Sequence, residues 1–197
     1  MTRHAMIWRL MARRLMSDNS GLAIVEFAFA APLLISMFCG VYLTYDMVTC
    51  AGKVSQAART ISDLTTQYHQ ISTAQITAVL SNSGYVLSPY DVSQAKMRVS
   101  EVQITDISHA KVVWSMATSN GVALSVGATV NLPTGMAPPL MIPDPTAIPA
   151  RAGGYLIVGE TSYAYSPAFA QGWVQPATLY NRYFMLPRYS LSVDKVG

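Results

Sequence analysis

The strongest feature of the hydrophobic pattern is an apolar run from Leu22 to Val41, in which Glu26 is the one charged residue. Twenty helical residues span about 30 Å, the thickness of the hydrocarbon core of a bilayer. The pattern therefore predicts a membrane-spanning helix from Leu22 to about Cys50. Pro32 lies inside this run, and a proline there predicts a kink or a local loosening of the helix.

Helical periodicity continues beyond the apolar run. Apolar residues recur at steps of three and four, as on one face of an amphipathic helix. They are Val54, Ala57, Ala58, Ile61, Leu64, Tyr68 and Ile71. The segment "STAQITAVLSNSG" then predicts a second short helix, with Ser72 and Gln75 as a capping box and a stop at Asn82–Gly84. One long helix is expected to leave the membrane and lay an apolar stripe on a partner surface.

From Lys96 the period changes to two, which indicates strands. The segment "KMRVSEVQIT" alternates at Met97 and Val99, then slips to Val102 and Ile104, and the slip predicts a bulge. "AKVVWSMA" is a short β-rich run. "GVALSVGATVNL" predicts a half-buried strand, with alternate apolar positions at Val122, Leu124, Val126, Ala128, Val130 and Leu132. Six prolines between Pro133 and Pro149 predict a loop.

The C-terminal part returns to strand patterns. "YLIVGETSYAYSP" places one set of alternate residues on one side of a strand: Tyr155, Ile157, Gly159, Thr161, Tyr163 and Tyr165. The aromatic tail "LYNRYFMLPRYSLSV" is expected to add a last strand. The predicted fold class is α+β, with a long N-terminal transmembrane and amphipathic helix followed by a small, mostly antiparallel sheet of about four strands. The predicted regions are 1–21, a basic leader; 22–50, the transmembrane helix; 51–84, the helical extension and connector; and 85–197, a β-rich domain.

Composition and charge support a membrane or assembly context. The chain has 197 residues, of which 51% are hydrophobic and only 12% charged, against about 25% charged in ordinary soluble domains. The first twenty residues hold four arginines and one aspartate, so they carry the whole net charge of +3. By the positive-inside rule this leader stays in the cytoplasm, and residues beyond about Val48 cross the membrane. No basic patch remains that would bind nucleic acid.

A cleaved secretory signal has the same polarity, but this apolar run is too long and helical periodicity continues past it. Cys39 and Cys50 lie on one helix face about 16 Å apart, too far to bond to each other. Both are expected to be small apolar side chains, and a bond between subunits through Cys50 stays open.

Candidate catalytic and metal-binding residues were weighed and not favoured. His4, His69 and His109 lack the spacing of a metal site. Ser93–Lys96 and Ser192–Lys195 match a Ser-x-x-Lys pattern by chance, without its partner motifs. Tyr163 and Tyr165 are expected to pack in the sheet. The sequence therefore predicts no enzyme, no metal and no cofactor.

The residues around Glu26 carry the functional prediction. Gly21 closes the basic leader, Leu22 follows, and Glu26 is the fifth residue after the glycine, with Phe27 next. A carboxylate inside a membrane helix costs several kcal/mol and is by default a functional residue with a partner to be found. The alternative is a glutamate near the lipid headgroups, protonated or extended toward water.

This arrangement resembles the processing site of type IV prepilins, in which a membrane aspartyl peptidase cuts after the glycine. "GLAIVEFAFAAPLLISMFCGVY" resembles in particular the TadE-type minor pilins of the tight-adherence (Tad) pilus system. The matching residues are Gly21, Glu26, Phe27, Pro32 and Gly40. "YLIVGETSYAYSPAF" and "FMLPRYS" resemble downstream elements of that group more loosely.

The resemblance implies a minor pilin or pseudopilin with a pilin-like fold, cut between Gly21 and Leu22. It implies an inner-membrane protein with a cytoplasmic N-terminus and a periplasmic C-terminal domain, fed later into a surface fibre. The implied partners are a prepilin peptidase, other pilin and minor pilin subunits, the inner-membrane assembly platform and lipid. Glu26, Phe27 and Pro32 would serve assembly. In a bundle of such helices, Glu26 can pair with the new amine of Leu22 on a neighbour, because two buried charges are tolerable together.

Two other classes of function stay open on the sequence alone. One is a signal-anchored periplasmic assembly or binding factor that is never cut and never joins a fibre. The other is a secreted hydrolase with an unrecognised site. A cut at Gly21 separates the first reading from the second, and the third requires a nucleophile–base pair that the sequence does not display.

Overall fold

The computed structural model describes residues 20–147, 149–167 and 175–197. The predicted leader, 1–21, falls almost wholly outside them. The described chain has an α+β fold, with a long apolar N-terminal helix followed by a mostly antiparallel, curled sheet. The predicted fold class is confirmed at that level.

Two helices precede most of the strands. Helix α1 runs over Ser20–Thr65 and helix α2 over Thr73–Gly84. The strands are β1 (Gln70–Ser72), β2 (Ala95–Ile104), β3 (His109–Ala117), β4 (Thr129–Asn131), β5 (Tyr155–Tyr165), β6 (Ala177–Met185) and β7 (Asp194–Val196). The chain divides into two compact units between Tyr45 and Asp46, inside α1.

Helix α1 ends earlier than its apolar stripe predicted, so Tyr68 and Ile71 do not lie on it. The hydroxyl of Thr65 donates to the carbonyl of Ile61 over 2.8 Å. The carbonyl of Thr66 accepts the backbone N–H of Arg188 over 3.0 Å, in place of a helical donor. A tertiary contact therefore replaces the next helical turn, and Ile71 is buried as a strand residue.

Helix α2 begins as predicted. The backbone N–H of Gln75 donates to Ser72 Oγ over 3.3 Å, and the Ser72 N–H donates to Gln75 Oε1 over 2.8 Å. This reciprocal pair satisfies two backbone donors at the start of the helix. Helix α2 ends at Gly84, inside the predicted stop.

The main sheet has the strand order β4-β3-β2-β5-β6, and all of its neighbours are antiparallel. Its two faces bury different cores. The face toward α1 holds Met97, Val99, Trp114, Ile157 and Tyr163, with Ile61 of the helix. The other face, called here the outer face, holds a second core: Val102, Ile104, Ala110, Val112, Val130, Leu132, Leu156 and Val158.

These two cores explain the slip in the apolar pattern of β2. The strand itself alternates regularly, and its apolar residues change from the α1 side to the outer face between Val99 and Val102. A register shift does occur there, since Glu101 pairs with Trp114 while Val102 pairs with Val112. The extra residue is Val113, so the bulge lies on β3.

The strand predicted over Val122–Leu132 was largely wrong. Only Thr129–Asn131 forms a strand, paired with His109–Lys111. Gly127 has φ 81°, a left-handed conformation that turns the chain out of an extended path. Val122 and Val126 are accordingly exposed, whereas Val130 and Leu132 enter the second core as the alternation predicted.

The sequence did not reveal a second, two-stranded sheet. β1 and β7 pair in parallel, with Ile71 opposite Lys195. Val193, just before β7, is fully buried in the core on the α1 side. The last residues of the chain thus close onto the segment between the two helices.

Helix α1 approaches the sheet closely at Gly159 of β5. A Cβ atom built there would lie 2.4 Å from the carbonyl oxygen of Ala58 and 2.5 Å from Ser62 Oγ. The Gly159 N–H donates to Ser62 Oγ over 2.8 Å, and Ser62 Oγ lies 3.2 Å from the carbonyl oxygens of both Tyr183 and Ala58, to either of which it can donate. A helix hydroxyl therefore bridges β5 and β6, and only glycine leaves room for it.

We expect Gly159→Ala to lower the free energy of unfolding by about 1–3 kcal/mol, because the new methyl must push the backbone of α1 away. Urea unfolding of the full chain in detergent micelles measures this. Gly52→Ala is the matched control, since nothing lies within 4 Å of a Cβ there. In a helix interior it should be neutral or stabilising by up to about 1 kcal/mol. Equal effects of the two substitutions would contradict the close approach.

Candidate functional site

The N-terminal unit of α1 is apolar on every side. Most large apolar side chains between residues 21 and 45 are exposed: Leu22, Ile24, Val25, Phe27, Phe29, Leu33, Leu34, Ile35, Met37, Phe38, Val41, Tyr42 and Tyr45. A helix with no polar face needs lipid or other protein around it. Helix α1 is long and apolar enough to cross a membrane, with a mean hydropathy of 2.1 over its most apolar part. It is compatible with a membrane anchor on length and composition.

Gly21 and Leu22 lie in the first turn of α1. Nothing lies within 4 Å of a Cβ built on Gly21, and its φ is not in the left-handed range. Packing within the described residues therefore does not require glycine at this position. Leu22 is 59% exposed.

Glu26 is exposed on α1 and forms no ion pair among the described residues. In a helix its nearest neighbours along one face are Leu22 and Ala30, four residues to either side. Phe27 is 70% exposed beside it. The structure thus places a carboxylate one turn from Leu22 on an apolar surface, without a partner in the described chain.

Two hydroxyl groups further along the same helix are satisfied within it. Ser36 Oγ donates to the carbonyl of Pro32 over 2.7 Å, and Thr44 Oγ1 donates to the carbonyl of Gly40 over 2.9 Å. Such bonds to the preceding turn let hydroxyls sit in an apolar medium. Helix α1 continues through Pro32 without a break.

Asp46 is the next charged residue after Glu26, and tyrosines hold it. Tyr90 Oη donates to Asp46 Oδ1 over 2.8 Å, and Tyr165 Oη donates to Oδ2 over 2.6 Å. Burial, and then this bond to Asp46, raise the pKa of Tyr90 above its ordinary value. Tyr163 and Tyr165 are both buried, as predicted. The second compact unit, here called the globular unit, begins at Asp46, and the Tyr165 hydroxyl ties that residue of α1 to β5.

Glu101 is a second carboxylate with an incomplete set of partners. It is fully buried on the α1 side of β2, where Oε1 accepts the Val193 N–H over 2.6 Å and Oε2 has no hydrogen-bond partner in the described part of the chain. Trp114 Nε1 donates to the Val193 carbonyl over 2.8 Å. Desolvation by burial raises the pKa of Glu101 to about 7, against the lowering effect of its hydrogen bonds. Glu101 and Trp114 therefore bond to the backbone N–H and the carbonyl of Val193, the residue just before β7.

Sequence reasoning did not single out Asp46, Glu101 or Ser62. Glu101 carried a usable signal, because it occupies the same phase of the alternation as the apolar residues Met97 and Val99. Asp46 ends the uncharged stretch of the helix, but its tyrosine partners come from residues far along the chain. The role of Ser62 depends on Gly159, which no local pattern connects to it.

The candidate catalytic motifs do not assemble in the described residues. Ser93 Oγ donates to Asp91 over 2.6 Å, and Ser192 Oγ donates to Asp194 over 3.1 Å. His109 Nδ1 lies 2.9 Å from Asp106 in an exposed turn. His4 lies outside the described residues. No group of three or more His, Cys, Asp or Glu in the described ranges could hold a metal ion.

Comparison with known proteins identifies no relative. No family model matches the chain, and neither a curated protein nor a solved structure matches it.

We expect the free energy of unfolding to fall as pH rises from about 4.5 to about 7, through Glu101. Its pKa is 4.5 for the free side chain and about 7 when folded, so the folded state binds the proton more tightly. Stability from this group is complete below pH 4.5 and is lost by pH 7, by at most about 3 kcal/mol. Urea unfolding of the full chain at several pH values measures the slope.

Glu101→Gln should remove this fall, because the amide does not titrate. Asp106→Asn is the control. Hydrogen bonds from the Ser108 backbone and neighbouring side chains hold the pKa of this exposed carboxylate at about 2, so it should leave the window unchanged. An equal slope in the wild type and in Glu101→Gln would show that Glu101 is charged throughout.

Proposed function

We propose that this chain is a structural minor pilin or pseudopilin of the TadE type, acting in assembly of a Tad-type adhesive pilus. A prepilin peptidase removes Met1–Gly21. The mature chain is held in the inner membrane by α1 and then joins other pilin and minor pilin subunits at the assembly platform. It is not an enzyme in this proposal.

The observation that carries the proposal is the environment of Glu26. Ser36 and Thr44 bond within the helix, and Asp46 is bonded by two tyrosines, but Glu26 stands exposed among apolar side chains. A permanent lipid anchor gains nothing from such a residue and bears its cost. A helix that leaves lipid for a bundle of identical or similar helices gains a register-fixing ion pair.

The exposure of α1 supports the same sequence of environments. Lipid covers its apolar surface before assembly, and neighbouring helices cover it afterwards. Gly21 supports processing, because packing in the described chain does not require a glycine there. The basic leader supports a cytoplasmic N-terminus and a periplasmic C-terminal domain.

The runner-up function is a signal-anchored periplasmic assembly or binding factor that keeps its N-terminus. The long apolar helix fits both proposals. The residues around Gly21 and Glu26 favour the pilin, because an uncut anchor has no use for either.

We expect the mature protein in membranes to begin at Leu22, with 21 of the 197 residues removed and 176 remaining. Gly21→Trp should block this maturation, because the bulky side chain cannot enter a site built for glycine. Intact-mass measurement of the protein purified from membranes tests both statements. Gly40→Trp, at another uncrowded glycine of the same helix, should mature normally. An intact Met1 in the wild type would remove the proposal and leave the anchored factor.

We expect Glu26→Ala to insert and be cut but not to assemble. The substitution makes the helix more apolar, so insertion should be as good as in the wild type or better. Without the carboxylate the Leu22 amine of a neighbour has no partner, and mature monomer should accumulate in the inner membrane. Fibre counts and subunit content in sheared surface fractions measure this outcome.

Ser36→Ala is the matched control for Glu26→Ala, since it removes a polar group already satisfied inside the helix. It should assemble normally. Normal fibre number with Glu26→Ala would show that the carboxylate has no register role. If Glu26 paired only with the Leu22 amine of its own chain, Glu26→Ala would also give a normal fibre number, and the proposed contact between subunits would be wrong.

A further inference from the structure

The outer face of the sheet has a polar half that the second core does not cover. Arg98 of β2, Glu160 of β5 and Arg182 of β6 lie next to one another across three neighbouring strands. Glu160 is opposite both arginines in register. The three charged side chains are thus fixed on regular strands, away from the face that α1 covers.

Two of these charges neutralise each other. Arg98 Nε lies 2.6 Å from Glu160 Oε2, and Arg98 Nη2 lies 2.5 Å from the same oxygen. Tyr180 Oη donates to the other oxygen, Oε1. Arg98 Nη1 also donates to the carbonyl of Val122 over 3.0 Å. Glu160 is 5% exposed, so this is a nearly buried ion pair with both carboxylate oxygens occupied.

Arg182 is the surplus charge. Its guanidinium lies 4.9 Å above the centre of the Phe184 ring, and within the described residues it forms neither an ion pair nor a side-chain hydrogen bond. Stacking on an aromatic ring orients the guanidinium without using its N–H donors. A positioned arginine with free donors is the group that proteins use to bind carboxylates.

A cavity of about 240 Å³ opens beside this guanidinium. Its charged lining residues are Arg98, Glu160 and Arg182, and Ser100, Thr129 and Asn131 add uncharged polar groups. Its apolar lining includes Val102, Leu124 and Val158. The charges on the wall sum to one positive charge. Arg182 also lines a second cavity of about 550 Å³, with Tyr183 and Phe184, which gives the guanidinium a route to solvent. Converging polar groups beside an apolar surface are typical of small-molecule sites, and here the polar groups form about half of the lining.

We propose that this cavity binds a small monoanionic carboxylate, with its carboxylate on Arg182 and a short apolar body against Val102, Leu124 and Val158. One negative charge is what the wall lacks, so a dianion such as phosphate fits less well beside Glu160. The volume admits a body of a few carbon atoms. This inference does not depend on the proposed assembly role, because none of these residues belongs to the N-terminal unit of α1.

Butyrate is the probe, and butyramide is its uncharged isostere. Carboxyl-labelled butyrate is titrated with the full chain in detergent micelles and followed by NMR. Binding on the order of millimolar is expected for so small a ligand. Arg182→Gln should weaken it at least tenfold, while Arg59→Gln, an exposed arginine of α1, should leave it unchanged.

Glu160→Gln gives a change of the opposite sign and keeps the proposal testable if Arg182→Gln fails to fold. The amide can still bond to Arg98 and Tyr180, but the wall then carries two positive charges, so butyrate should bind about tenfold more tightly. Retention of the wild-type chemical shifts away from the cavity shows that each variant is folded. Butyramide binding as tight as butyrate, no binding at 50-fold over the expected range, or equal binding by Arg182→Gln and the wild type would each overturn the proposal.

Discussion

The close approach of α1 to Gly159 is the contact on which the globular unit depends. The carbonyl oxygen of Ala58 and Oγ of Ser62 lie where a methyl group at Gly159 would have to fit. The Ser62 hydroxyl accepts a hydrogen bond from Gly159 of β5 and lies within hydrogen-bond distance of Tyr183 of β6. The contact requires a small residue on both sides. It also fixes which face of the sheet is covered, so the outer face must bury its own apolar residues with the loop after β4.

Polar groups in apolar surroundings differ in whether they have hydrogen-bond partners, and this difference singles out Glu26. Hydroxyls inside the apolar run bond to the preceding turn, and Asp46 has tyrosine donors on both oxygens. Only one of the two carboxylate oxygens of Glu101 has a hydrogen-bond partner in the described chain. Burial raises its pKa to about 7, so the carboxyl group is mostly neutral below that pH. Glu26 differs from all of these, because it is exposed on an apolar helix surface and forms no ion pair within the described residues. An unpaired carboxylate on an apolar helix surface is a reason to expect a partner there, as the proposed assembly role supplies.

Much of the fold could be predicted because each element obeys a local rule. The capping box at Ser72 and Gln75 is a contact within one turn, and in β5 alternate residues such as Ile157 and Tyr163 share the face that lies on α1. Predictions failed where distant residues decide. Helix α1 stops where Arg188 takes over the carbonyl of Thr66, and Gly127 turns the chain within an alternating run.

The same distinction separates the two candidate sites. The proposed site at Gly21 and Glu26 could be inferred from the sequence because both residues lie close together on one helix, and it stays a prediction. The site at Arg182 could not, because it needs three strands whose order in space differs from their order in the chain. Its ion pair also has to be known before one arginine can be recognised as surplus. The proposed ligand site at Arg182 and the proposed assembly site at Glu26 share no residues, so the two proposals can be tested independently.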